Sequence, residues 1–263
     1  MRKKIKIVRG DIRDKRALGR SAKNTDVIFH LAAIVPMDRF LSNPPEAADI
    51  NVMGTVNVLD AAREAKCKRV VYISSCAVYG DDPVIPKKES MAIEPISFYA
   101  ESKRMNERHA FLFHKYFGLD SAGLRVFNAF GPRQDASSPY SGVISIFLDK
   151  FSKNKRPTIF GDGGNVRDFV FVKDIVRAIV LAGTFPKPLG AQVFNVAGGR
   201  GITLLELVNI FNRVFKTNLK PIHAKARPWD VRYSVADIGR IRRVLSFVPR
   251  YTLAKALEST RFL

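Results

Sequence analysis

The sequence predicts an α/β fold, with a parallel sheet covered by helices and a smaller lobe built from segments after Gly131. Three observations predict it. The run Val70, Val71, Tyr72, Ile73 has the β-branched and aromatic composition of a strand buried on both faces. Segments of helical period alternate with such runs, as where Val52, Val56, Leu59 and Ala62 recur on one face. Late in the chain PTIFGDGGNVRDFVFV reads as a hairpin, two strands flanking Asp162, Gly163 and Gly164.

Taken in order, residues 3–9 predict a short strand, Gly10 and Asp11 a turn, and residues 15–22 a helix. Residues 26–33 form a second apolar run whose small end residues, Ala32 and Ala33, let a ligand approach the backbone. His30 within it reads as a packed strand residue. A helix is expected from about Glu46 through Ala65. After the strand ending at Ser74 and Ser75 comes a charged, proline-containing loop to Pro95, long enough to suggest a function. A helix over residues 97–117 follows, then a strand over 124–128 ending at Asn128, and a helix presenting Val143, Ile144 and Phe147. Beyond the hairpin, VKDIVRAIVLA predicts a helix and VFNVAGG a strand. Thr203 and Glu206 form a capping box for a helix over residues 204–215.

Composition narrows the function. At 263 residues and 46% hydrophobic content the chain can bury a full core, and no apolar run is long enough to span a bilayer. The opening MRKKIKIVRG is too short in its apolar part for a secretory signal, so a soluble, cytoplasmic protein without membrane attachment is expected. Cys67, Cys76 and four scattered histidines lack metal-ligand spacing, and no metal site is predicted. The net charge of +20 is spread through helices and loops, and no aromatic stacking pattern accompanies it. That pattern argues against specific nucleic-acid binding and suits small anionic ligands.

The residues that carry chemistry are Ser75, Tyr99 and Lys103. Tyr99 and Lys103 are four apart, so on a helix both leave the same face, an ammonium beside a phenol. A free phenol titrates near ~10; an adjacent cation favours the phenolate and moves it toward general-base duty. Alone, this spacing also describes a solvated helix face. Ser75, at the end of a predicted parallel strand where active groups collect, could bond the same substrate hydroxyl.

These motifs occur together with GDIRD at 10–14, FHLAA at 29–33, NVMGTVNVLDAA at 51–62, LRVFNAFGPRQ at 124–134 and RPWDVRYSVADI at 227–238. In that order they resemble the extended short-chain dehydrogenase/reductases of the nucleotide-sugar epimerase and dehydratase group, most of all the branch acting on UDP-galactose. The resemblance implies a Rossmann-like NAD-binding domain over residues 1–130 and 168–198, and a nucleotide-sugar lobe over 131–167 and 199–263. No glycine-rich turn opens the chain, and the later GDGG and NVAGGRG runs follow other strands. The expectation is an N-terminally truncated domain lacking a first strand-helix-strand unit of about 30 or more residues.

The resemblance assigns Asp11, Ile12, Leu31, Ala32, Ala33 and Asn51, with Tyr99 and Lys103, to NAD. Asn51 would also steady the site. It assigns Ser75, Asn128, Thr158, Phe160, Arg167, Arg227 and Asp230 to the nucleotide sugar, the arginines gripping its diphosphate. Trp229 stands where glycine is usual, which bears on sugar specificity. Dehydratases place an acid just after the serine, whereas this chain has Cys76 and Ala77. C4 epimerisation of UDP-glucose and UDP-galactose through a transient 4-keto sugar is therefore the leading expectation. A dehydrogenase or dehydratase of the same group, or a chain that only binds nucleotide sugar, are the alternatives. A homodimer through the helices carrying Asn51 and Tyr99 is also implied.

Overall fold

The computed structural model describes residues 5–134, 142–227 and 230–260, so Trp229 lies outside the described residues. The chain forms two compact units: Met1–Ser74 with Ser97–Gly123 and Pro186–Gln192, and Ser75–Ile96 with Leu124–Phe185 and Val193–Leu263.

In the first unit, Asp14 accepts from the Arg16 and Ala17 amides and so starts helix α1 (Lys15–Ala22). Strand β1 (Val27–His30) lies parallel to β2 (Arg69–Ser75), with His30 opposite Tyr72. The connection between them is helical, as a parallel pair requires. It is not the single helix expected from Glu46 to Ala65. It consists of α2 (Met37–Ser42), α3 (Pro44–Ala48) capped by Asn43, a wide π turn over Asp49–Met53, and α4 (Gly54–Glu64). Such turns are frequent at functional sites, and this one contains the buried Asn51. Gly54 starts α4 because Ile12 occupies its side-chain position: a Cβ there would sit 2.5 Å from Ile12 Cδ1.

Helix α5 (Phe98–Phe117) begins where Ser97 accepts from the Ala100 amide and ends at Gly118, whose φ of 69° is left-handed. Strand β3 (Ser121–Val126) begins in this unit, where the Val70 amide donates to Asp120 O. Val58, Leu59, Ala62, Val70, Tyr72, Ala110 and Leu119 fill the core between α4, β2 and α5. Residues 5–10, expected to include a strand, are irregular, with Ile5, Ile7 and Val8 exposed. Alternating apolar residues make a strand only when a neighbouring edge takes up their amides and carbonyls.

The second unit holds the end of β3, which in the strand order lies next to β8 (Gln192–Val196), and the remaining elements. Strand β4 (Ala129–Phe130) pairs in parallel with β7 (Val170–Phe171), which leads into helix α7 (Val172–Thr184). The expected hairpin is absent. Strand β5 (Thr158–Phe160) pairs in parallel with β10 (Ile222–Ala224), while β6 (Val166–Asp168) lies antiparallel to β9 (Gly201–Thr203) and parallel to β11 (Tyr233–Ser234).

The glycine turn is engaged elsewhere. Gly163 (φ 79°) lies against Leu205, whose amide donates to Gly163 O, so the turn rests on the start of α8 (Leu204–Phe215) instead of folding β6 onto β5. The predicted capping box of Thr203 and Glu206 is present. Phe211 anchors the core, its ring 5.0 Å from Phe151, 5.7 Å from Phe147 and stacked on Phe215. Helices α6 (Val143–Ser152), α9 (Gly239–Leu245) and α10 (Leu253–Thr260) complete the unit.

The long loop after Gly80 is held by buried polar groups. Tyr79 Oη donates to Asn195 Oδ1 at 2.7 Å and accepts from Arg125 Nη1 at 2.9 Å. Asn195 Nδ2 donates to Lys87 O, and its amide donates to Glu89 Oε1. Lys87, 2% exposed, donates to Asp82 O. Among the described residues no helix is long and apolar enough to cross a membrane.

Candidate active site

In the first unit, Tyr99 and Lys103 occupy the first two turns of α5, where helical spacing puts them on one face. Lys103, 4% exposed, reaches the end of β2: its Nζ donates to Ile73 O at 2.9 Å and stands 5.6 Å from the centre of the Tyr99 ring. Burial lowers the ammonium pKa to about 8, leaving it charged at neutral pH. The phenol ring packs edge-on against buried Phe40, centroids 6.1 Å apart.

Asn51 fixes the frame around this pair. Its Oδ1 accepts from the Ile34 amide at 2.7 Å, and its Nδ2 donates to Ile34 O at 2.9 Å and to Ser102 Oγ at 3.3 Å. Ser102 Oγ in turn donates to Tyr99 O at 2.7 Å. One amide thus ties the segment after β1 to the first turn of α5. Thr55 Oγ1 donates to Asn51 O and contacts His30 Nε2 at 2.9 Å. Burial, and then the Lys103 charge, lower the His30 pKa to about 4, so this histidine is neutral and structural.

Leu31, Ala32 and Ile12 line a groove of about 360 Å³ beside β1, together with Phe29 and Val58, while Ala33 lies beyond the lining residues. The lining is mostly apolar and includes the small Ala22, Ala32 and Ala61, which can take the flat face of an aromatic ring. Asp11 is committed elsewhere. Its carboxylate takes the Arg13 guanidinium and amide, which hold its pKa down to about 2.

In the second unit, Asn128, Thr158, Phe160, Arg167, Arg227 and Asp230 all line one cleft of about 470 Å³. Segments far apart in the chain meet here because β5 pairs with β10 and β6 with β11. Asn128 Nδ2 donates to Asp168 O at 2.9 Å. Arg227 lies over the Phe160 ring, 3.8 Å from its centre. Arg167 Nη2 donates to Asp230 Oδ1 at 2.6 Å, and Asn165 Nδ2 to the other carboxylate oxygen at 3.1 Å. Two guanidiniums beside aromatic and amide surface can hold a nucleoside diphosphate.

Ser75 belongs to this second unit, where its Oγ accepts from the Ala77 amide and caps the short turn Cys76–Tyr79. Cys76 Sγ lies 3.8 Å from Ser234 Oγ, and burial pushes its thiol pKa up. Beside it Asp168, fully buried, is raised to about 7 by burial although its Oδ2 accepts from the Gly199 and Ala236 amides.

A model of the NAD-dependent epimerase/dehydratase family matches residues 1–197. The chain belongs to this family. This family member is 36% identical over 259 residues to a UDP-glucose 4-epimerase of Mycolicibacterium smegmatis, covering 98% of this chain and 82% of the relative. Its fold matches a UDP-N-acetylglucosamine 4-epimerase from Methanobrevibacter ruminantium M1, solved in complex with UDP-N-acetylmuramic acid, with a TM-score of 0.91, 34% identity and coverage of 97% and 81%. A Thermotoga maritima UDP-glucose 4-epimerase bound to UDP-glucose gives 0.89, 30% identity and coverage of 96% and 82%. The fold is therefore Rossmann-like, and NAD is the cofactor of the family.

Sequence reasoning missed Phe40, Ser74, Ser102 and Glu107. Ser102, inside YAESK, and Glu107, one turn past Lys103, carried a spacing signal. Phe40 carried none.

Proposed function

We propose that this family member is a nucleotide-sugar 4-epimerase that interconverts UDP-glucose and UDP-galactose in the cytoplasm. The observation that carries this reading is the buried Lys103 ammonium, one helical turn from the Tyr99 phenol and anchored on Ile73 O. A cation there favours the phenolate, the form able to take the proton from the sugar 4-hydroxyl. NAD, when bound, supplies a reversible hydride acceptor for C4. Leu31, Ala32 and Ile12 line its groove, Asp11 and Ala33 adjoin them along the chain, and Asn51 holds the Ile34 backbone just beyond.

Ser75 orients the 4-hydroxyl, and Tyr99 returns the proton after the 4-keto sugar has turned its other face. The diphosphate is held by Arg167 and Arg227, the base by Thr158 and Phe160, and the ribose by Asp230, with Asn128 steadying the phosphates. Epimerisation is favoured over elimination because Cys76 and Ala77 supply no acid after Ser75. On this reading residues 1–130 and 168–198 serve the cofactor, and 131–167 and 199–263 the nucleotide sugar. A homodimer through the helices carrying Asn51 and Tyr99 is part of the proposal, supported by the exposed Met105 and Phe111 on α5.

The test is conversion of UDP-glucose to UDP-galactose with NAD, followed by chromatography of the two sugars. Tyr99→Phe is expected to abolish turnover while UDP-glucose still binds. Full turnover in that variant overturns the assignment, and net accumulation of NADH indicates a one-way dehydrogenase.

A further inference from the structure

One turn beyond Lys103, α5 makes a second buried contact with the same strand. Ser74 Oγ donates to Glu107 Oε1 at 2.5 Å, with both residues below a tenth exposed. Tyr99, Lys103 and Glu107 follow each other at intervals of four and so form one stripe along the helix. The two inner members of the stripe grip adjacent residues of β2, Lys103 the carbonyl of Ile73 and Glu107 the hydroxyl of Ser74.

The two bonds run in opposite directions, one from helix to strand and one from strand to helix. Two such bonds one turn apart, added to the core packing of α5, resist both its rotation and its sliding along β2. Losing the Lys103 bond also relieves a buried charge, whereas removing the Glu107 carboxylate leaves the buried Ser74 hydroxyl without the acceptor it donates to. A carboxylate buried this deeply is uncommon unless it is engaged, and the Ser74 hydroxyl is one of the groups that engage Glu107.

We infer that Glu107 is a positioning residue: by holding Ser74 it sets the register of α5 on β2 that keeps the Lys103 ammonium beside the Tyr99 phenol. This rests on the proposed role of Tyr99 as base. Without the clamp, α5 can shift by a fraction of a turn, the bond from Lys103 to Ile73 lengthens, and the cation stabilises the phenolate less.

The phenolate can be read without turnover. Ultraviolet absorbance at 295 nm follows tyrosine ionisation, and subtracting the titration of Tyr99→Phe isolates the step belonging to Tyr99. Glu107→Ala and Ser74→Ala are each expected to move that step upward by about one pH unit, a tenfold loss of phenolate at neutral pH. The double variant should move it no further than Glu107→Ala alone, since the bond to Ser74 can be lost only once. Glu107→Gln, which still offers Ser74 an acceptor, should restore the native titration.

Should Glu107→Ala fail to fold, Ser74→Ala, which deletes only a hydroxyl, carries the measurement alone. If both variants merely lower the melting temperature and leave the step in place, Glu107 is structural and the inference is wrong. If Tyr99→Phe removes no step of lowered pKa, the base assignment itself fails and takes the inference with it. The two failures are therefore distinguishable.

Discussion

Arg167 Nη2 meets Asp230 Oδ1 at 2.6 Å, with the arginine side chain 13% exposed and the aspartate 32%. Residues 63 positions apart thus both line the cleft, and the guanidinium is held by a carboxylate that, on the proposed reading, a diphosphate would displace or share. Arg167→Ala is expected to weaken UDP binding by at least tenfold, in line with about 1.5–3 kcal/mol for a bond to a charged group. Arg167→Lys should recover only part of this, because an ammonium lacks the planar fork. Titration calorimetry with UDP decides it, and an unchanged dissociation constant in both variants would remove Arg167 from the site.

Lys103 is buried at a cost in solvation that lowers its pKa to about 8. Lys103→Met keeps the length and apolar stem of the side chain but no charge. Turnover should fall by about a hundredfold or more, while stability changes by less than about 1 kcal/mol or rises, the lost bond to Ile73 O offsetting the relieved desolvation. Urea unfolding beside an epimer assay tests the pair of effects. A large loss of stability would mean that Lys103 is structural.

The pH dependence of stability should show two opposed contributions. His30 titrates at about 4 when folded, against 6.5 in an unfolded chain. The unfolded state therefore binds more protons between those values, and the His30 contribution to stability is lost as pH falls through that window. Asp168 has the reverse sign: raised from 3.8 to about 7, its neutral form is favoured by folding, so its contribution is lost as pH rises from about 4 to 7. Asp168→Asn should make stability rise more steeply with pH between about 4 and 6.5. Urea midpoints measured across that range check this, and superimposable curves for the two proteins would contradict it.

Phe211, fully buried, stacks on Phe215 and meets Phe147 and Phe151. Phe211→Ala should destabilise the protein by about 3–5 kcal/mol through lost burial and the cavity left behind. Chemical denaturation measures it. A cost below about 1 kcal/mol would show that the cluster collapses to fill the space.

Much of the fold was legible because local chemistry was strong. Lys15–Ala22 follows a capping aspartate, Leu204–Phe215 follows a capping box, and α5 runs from Ser97 to Gly118 with caps at both ends. The failures share one cause. Residues 5–10 and the segment flanking Gly163 have strand-like pattern, but pattern does not choose a partner. The break of the expected helix at Asp49–Met53 was illegible for a related reason: it lets a polar side chain, Asn51, find Ile34 and Ser102.

By itself the sequence determined the ends of α1, α5 and α8 and the spacing that sets Tyr99 and Lys103 on one face, since these depend on residues within a few positions of each other. Tertiary structure alone decided that Lys103 is buried against Ile73, that Ser74 is held by Glu107, and that Arg167 meets Asp230. Those contacts join residues 30 to 63 positions apart. Their strength comes from the exclusion of water, which only the packed chain provides.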